Sequence, residues 1–154
     1  MKKIISAVLV IALVLCMCAC GGKQEKTVDV DLKALYEGYS QHLPEMFYPD
    51  ESTLLNFLGI NAEDCAEYQV AICAEGMRAD EVWLIKAKDE AALAKLQQLA
   101  ESRIAAKLEE TETYVPDQYL IVQKAQVLSN GLYLALLISP DVDVLKADFE
   151  AAFQ

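Results

Sequence analysis

Histidine is almost absent from this sequence: His42 is the only one in 154 residues, and it stands far from Cys65 and Cys73. No Cys-x-x-Cys occurs either, so the donor set of a transition-metal centre is missing and neither a metal nor another cofactor is expected. There is no glycine-rich phosphate loop, no His-Glu-x-x-His pair and no serine at a nucleophile elbow, which removes the common nucleotide, zinc-hydrolase and serine-hydrolase signatures. Basic side chains are also scarce, 13 against 24 acidic ones for a net charge of −11. Such a balance repels phosphate backbones, so nucleic acid is excluded as a partner. Nor is there an apolar run of the ~20 residues that a membrane-spanning helix needs.

What is present is concentrated at the start. Lys2 and Lys3 precede an apolar stretch from Ile4 to Leu15, and Met17-Cys18-Ala19-Cys20-Gly21-Gly22 follows. That order is a secretory leader, not a folded element. Small Ala19 directly before Cys20, with glycines behind it, resembles the lipobox of bacterial lipoproteins; Cys16 and Cys18 follow bulky Leu15 and Met17 and suit cleavage less well. The resemblance implies cleavage before Cys20 and a diacylglyceryl group on its sulfur, which places the protein on the extracytoplasmic face of the cell membrane. Two acyl chains hold a protein far more firmly than one. The chain then divides into a leader (residues 1–19), an anchor and polar tether (20–30) and a single domain (31–154).

Without the leader's two lysines, 24 acidic side chains face 11 basic ones, so the domain is not expected to lie flat on an anionic bilayer. Cys65 and Cys73 are the only cysteines after Cys20. They fall in or beside an apolar strand pattern, and buried free thiols are expected in preference to a disulfide framework.

Along the domain, Leu32, Leu35, Tyr36, Tyr39 and Leu43 recur at helical spacing behind Asp31 as N-cap. His42 falls at the end of this helix, where the helix dipole accounts for it. A second short helix is expected over Asp50 to Leu58, with Gly59 in the left-handed position after it. Strands follow over Tyr68 to Glu75 and Glu81 to Ala87, a hairpin marked by period-two alternation. Asp89 caps the longest helix, whose stripe is Leu93, Leu96, Ala100, Ile104 and Leu108. The acidic run Glu109-Glu110-Thr111-Glu112 opposes the dipole, so the last turn is expected to fray. A second hairpin is expected from Leu120 to Leu128 and Leu132 to Ser139, turning at Ser129-Asn130-Gly131. Pro140 opens a last helix with Leu145, Phe149, Ala152 and Phe153 inward. The order ααββαββα predicts an α+β two-layer sandwich: a four-stranded antiparallel sheet of two β-hairpins, with helices on it. Leu132 to Ile138 is apolar on both faces, so a second face left open by the helices would be a docking surface.

Few residues offer chemistry. Asp29-Val30-Asp31 and Asp141-Val142-Asp143 lack the glycine and later glutamate of a calcium loop, and capping or solvated charge explains them. Asp80-Glu81, beside the first hairpin, is the one acidic pair to watch. Together, Ala79-Asp80-Glu81-Val82 opening a strand, Tyr114-x-Pro116 after the long helix, and Gly131-x-Tyr133 leading into Leu136-x-Ile138-Ser139-x-Asp141 resemble the clostridial lipoproteins of the domain of unknown function 4358. This resemblance implies a single extracytoplasmic domain on a lipid anchor and transfers no catalytic residue. The expected function is non-catalytic binding of a ligand, an envelope protein or a second copy of the chain; a cell-envelope hydrolase or metal-dependent enzyme is the alternative. Asp80, Glu81, Tyr114, Pro116, Gly131 and Tyr133 are the candidate interaction residues.

Overall fold

Alternating apolar residues form the centre of the molecule. In a computed structural model, which describes residues 28–154, the two central strands are β3 (Glu81–Ala87) and β5 (Tyr133–Ile138), both almost wholly buried. Around them lie β1 (Met46–Phe47), β2 (Cys65–Cys73) and β4 (Gln126–Asn130), in a five-stranded sheet of order β1-β2-β3-β5-β4. Every pairing is antiparallel. The helices are α1 (Leu32–Tyr39), α2 (Glu51–Thr53, running on as a π-helical turn, Leu54–Leu58), α3 (Glu90–Tyr114), α4 (Pro116–Val122) and α5 (Val142–Ala151).

The sheet is covered on both faces, which corrects the two-layer expectation. On one face Trp83, Ile85, Leu134, Leu136 and Ile138 pack against Leu54 and Leu58, Ala92, Leu96 and Ala100 of α3, and Val122 of α4. On the other, Val82, Leu84, Tyr133, Ala135 and Leu137 pack against Leu32, Tyr36 and Tyr39 of α1 and Val142, Leu145 and Phe149 of α5. Because successive strand residues point to opposite faces, a strand that is apolar throughout needs two helical layers. The open sheet face that would have served as a docking surface is therefore filled by the chain's own α1 and α5.

Local signals explain most boundaries. The Asp31 and Asp89 carboxylates accept from the backbone N–H of Ala34 and Ala92 at 2.9 and 2.8 Å, as N-caps do. Gly59 takes φ +73° after α2, and a Cβ there would also meet Leu99 at 3.1 Å. Three details differ from expectation. Leu120 to Val122, expected to begin the strand that runs to Leu128, belong instead to the helix Pro116–Val122, because Pro116 sits in its first turn, where its fixed φ and missing N–H suit a helix start. β1 is a fifth strand, too short to show periodicity. α3 is helical through the acidic run: Thr111 Oγ1 donates to Lys107 O at 2.6 Å, α4 packs on the helix, and it continues to Tyr114. Cys65 and Cys73 are free thiols, at opposite ends of β2, about 26 Å apart at strand rise and beyond disulfide reach. Cys73 is buried as expected, whereas Cys65 is only partly so.

Gly131 closes the β4–β5 hairpin at φ +55°. Gly131→Val is expected to cost about 1–3 kcal/mol, since a β-branched side chain is strained there. Gly38→Ala, in α1 with nothing within 4 Å of the added carbon, should stabilise by roughly 0.5–1 kcal/mol. Urea denaturation of the two variants measures this opposition in sign.

Candidate functional site

The first residue of β3 carries a charge into the core. Glu81 belongs to the same strand face as Trp83 and Ile85 and is fully buried. α3 crosses above it and presents Arg103 and Lys107 one turn apart. Arg103 Nε donates to Oε1 and Oε2 of Glu81 at 3.1 Å each, and Nη2 donates to Oε2 at 2.9 Å. Lys107 Nζ lies 3.1 Å from Oε2 and donates to Ala79 O at 3.0 Å. Trp83 Nε1 completes the set, donating to Oε1 at 2.8 Å. A buried carboxylate is tolerable only when paired and hydrogen-bonded, and here every buried side-chain N or O among the described residues has a partner.

Asp80 is equally buried but has separate partners: Arg78 Nε donates at 3.0 Å and Nη2 at 3.5 Å. The two carboxylates thus do not form one acid pair. Around this end of β3, Arg78, Arg103 and Lys107 face Asp80 and Glu81, and the Glu75 carboxylate also acts on Arg78, so cations and carboxylates are matched three to three. Arg103 Nη1 has no hydrogen-bond partner among the described residues; since none of the buried side-chain nitrogens is unpaired, it reaches solvent.

One aromatic ring lies against that guanidinium. The Phe57 ring lies 4.9 Å from the Arg103 guanidinium, although Phe57 itself is 60 % exposed. Phe47, Ile72, Glu81 and Ile138 form one lateral row across β1, β2, β3 and β5, so half-exposed Phe47 lies on the same face about 10 Å from Glu81. This end of the sheet thus carries a guanidinium edge against the exposed Phe57 ring, with half-exposed Phe47 on the same sheet face.

The other sequence candidates lie elsewhere. Tyr114 ends α3 and is 81 % exposed, with Pro116 just beyond it at the start of α4. Tyr133 is five residues along β5 from the Glu81 row, about 17 Å away, next to Gly131. Its hydroxyl donates to Asp29 Oδ1 at 2.8 Å and accepts from Val30 N–H at 3.1 Å. Lys86 Nζ donates to the same Asp29 oxygen at 2.6 Å and lies over the Tyr133 ring. These bonds hold the Asp29 carboxyl below its ordinary range, Lys86 contributing most and Tyr133 next. Asp29 and Val30, counted with the tether in the sequence, are thus fastened to the sheet. His42 Nδ1 lies 3.2 Å from Asp141 Oδ2, and Asp141 makes no side-chain cap bond to α5. Cys20 and the leader fall outside the described residues.

Arg103, Lys107 and Phe57 were not anticipated from the sequence. A signal existed: Leu96, Ala100, Arg103, Lys107 and Thr111 continue one helical stripe at spacings of three and four, so two cations stand where apolar residues would be expected. Among the described residues no three His, Cys, Asp or Glu side chains converge as a metal site would require, and no helix is long and apolar enough to cross a membrane.

Burial and the neighbouring Asp64 carboxylate push the Cys65 thiol up from 9.0 to about 11. Its alkylation by iodoacetamide, followed by mass spectrometry, should therefore show a pH midpoint near 11. The folded state holds this proton more tightly than the unfolded one, so the associated stability is present below pH 9 and declines as pH rises towards 11.

These features define an α+β domain with a mainly helical layer on each face of an antiparallel sheet and a buried cation–carboxylate cluster at one end. The profile of the family described as domain of unknown function DUF4358 matches residues 26–139. The chain belongs to that family. No curated protein and no solved structure matches it.

Proposed function

We propose that the protein is an extracytoplasmic domain, held at the cell membrane by a diacylglyceryl group on Cys20, that binds an envelope partner and carries out no reaction on it. The observation that carries the location is the placement of Ala19-Cys20: a charged start and an apolar run precede it, and the family match begins only at residue 26. Leader, lipidated cysteine and a short linker account for what comes before the domain. Asp29, bound by Lys86 and Tyr133, supports a fixed point at which that linker leaves the sheet.

Binding is favoured over turnover by the condition of the two carboxylates. Asp80 and Glu81 are each held by cations and lie inside the protein, so neither is free to serve as general acid or base. What this end offers outward is the Arg103 edge beside Phe57, with Phe47 on the same sheet face, suited to an apolar segment of a partner carrying a carboxylate.

Two measurements test the reading. Cys20→Ser should lose lipid-precursor labelling and either keep its leader uncleaved or leave the fraction in which the wild type sediments; labelling and fractionation unchanged from wild type would overturn the anchor. Crosslinking in intact membranes should capture an envelope protein with the wild type and much less with Phe57→Ala, an exposed change that spares the core. Equal capture by both would overturn the proposed surface.

A further inference from the structure

The two edges of the sheet are finished differently. β1 is only two residues long and is followed directly by Tyr48-Pro49 and the start of α2, devices that blunt an edge against further pairing. β4 has five residues, Gln126–Asn130, with no proline and no charge. Its backbone directions follow from the neighbouring ladder. Leu132 O accepts from Ala87 N–H on the β3 side, so alternate residues Tyr133, Ala135 and Leu137 turn their backbone groups towards Asn130, Leu128 and Gln126. Val127 and Ser129 are left aiming N–H and C=O away from the sheet, and among the described residues no other segment bonds to them.

We propose that β4 is a self-pairing edge through which two copies of this chain form a dimer. With a two-fold axis through Leu128, Val127 of each copy faces Ser129 of the other, and both residues have outward groups, so each pair exchanges two hydrogen bonds. Gln126 then faces Asn130, amide to amide, and Leu128 faces Leu128 in the position where side chains approach most closely. The register selects a second copy as the occupant: under this two-fold each outward-bonding residue meets another, amide meets amide and leucine meets leucine. Two copies of the chain without its leader, each with 24 acidic against 11 basic side chains, repel each other. β4 lets them meet with no carboxylate opposite another in the shared ladder. α3 lies over β4 on one face and α5 on the other, so pairing also brings these helices beside their counterparts. The dimer does not depend on the lipid anchor or on the Arg103 surface.

The test uses the full-length chain. Light scattering in detergent should give a dimer that tightens as salt is raised, and Ser129→Pro should weaken it at least tenfold. That substitution removes an N–H the sheet itself does not use, so the thermal transition should survive. In membranes, Leu128→Cys should form an oxidation-dependent disulfide dimer, whereas Glu37→Cys, on α1 over β2 and β3, should not. A monomeric mass at all salt concentrations, equal crosslinking of Leu128→Cys and Glu37→Cys, or a Leu128→Cys adduct to a different protein would each overturn the proposal.

Discussion

Glu81→Ala is expected to lower the stability of the domain by about 3–5 kcal/mol, the typical cost of removing one partner from a buried ion pair. Alanine leaves Arg103 and Lys107 without their anion, with side chains only 12 % and 8 % exposed, and leaves the Trp83 N–H without its acceptor. The penalty arises from the stranded cations more than from the lost attraction. Replacing all three charged residues together, as Glu81→Leu with Arg103→Met and Lys107→Met, should consequently recover most of the loss. Since natural domains are stable by only about 5–15 kcal/mol, the single change brings the fold near its limit. Urea denaturation followed by circular dichroism distinguishes the cases: a loss under about 1 kcal/mol for Glu81→Ala, the range of an exposed pair, would show that water reaches the cluster.

The same cluster marks how far the sequence can be read. Asp80-Glu81 stands out because acidic residues open an otherwise apolar strand, and β3 was legible in full as a short apolar run between turn signals. The partners were not, since Arg103 lies 22 residues away and the pairing depends on how α3 crosses the sheet. Asp31, Asp89, Gly59 and Gly131 were legible because capping and left-handed turns are local chemistry. The segment 116–122 was not: Leu120-Ile121-Val122 is a short apolar run that suits a strand or a helix equally, and only Pro116 in the first turn tips it. The number of layers lay between these cases. Apolar residues on both faces of β5 required two covers, but α1 and α5 could be assigned to the second only through long-range packing, such as Tyr39 Oη donating to Leu145 O at 2.8 Å.

That second cover gives the other large effect. Leu84→Ala and Ile85→Ala remove neighbouring side chains that point to opposite faces of β3, Leu84 towards α1 and α5 and Ile85 towards α3. Both are fully buried. Each truncation removes several methylenes and leaves a cavity, so each should cost about 2–5 kcal/mol, and the two should agree within about a factor of two. In a two-layer fold one face of β3 would lie against water, and truncation there would cost less than about 1 kcal/mol. Urea midpoints of the two variants, with unchanged transition slopes, therefore count the layers directly. A large loss for Ile85→Ala beside a negligible one for Leu84→Ala would mean that α1 and α5 do not hold the second face in solution, and would restore that face as a surface for a partner.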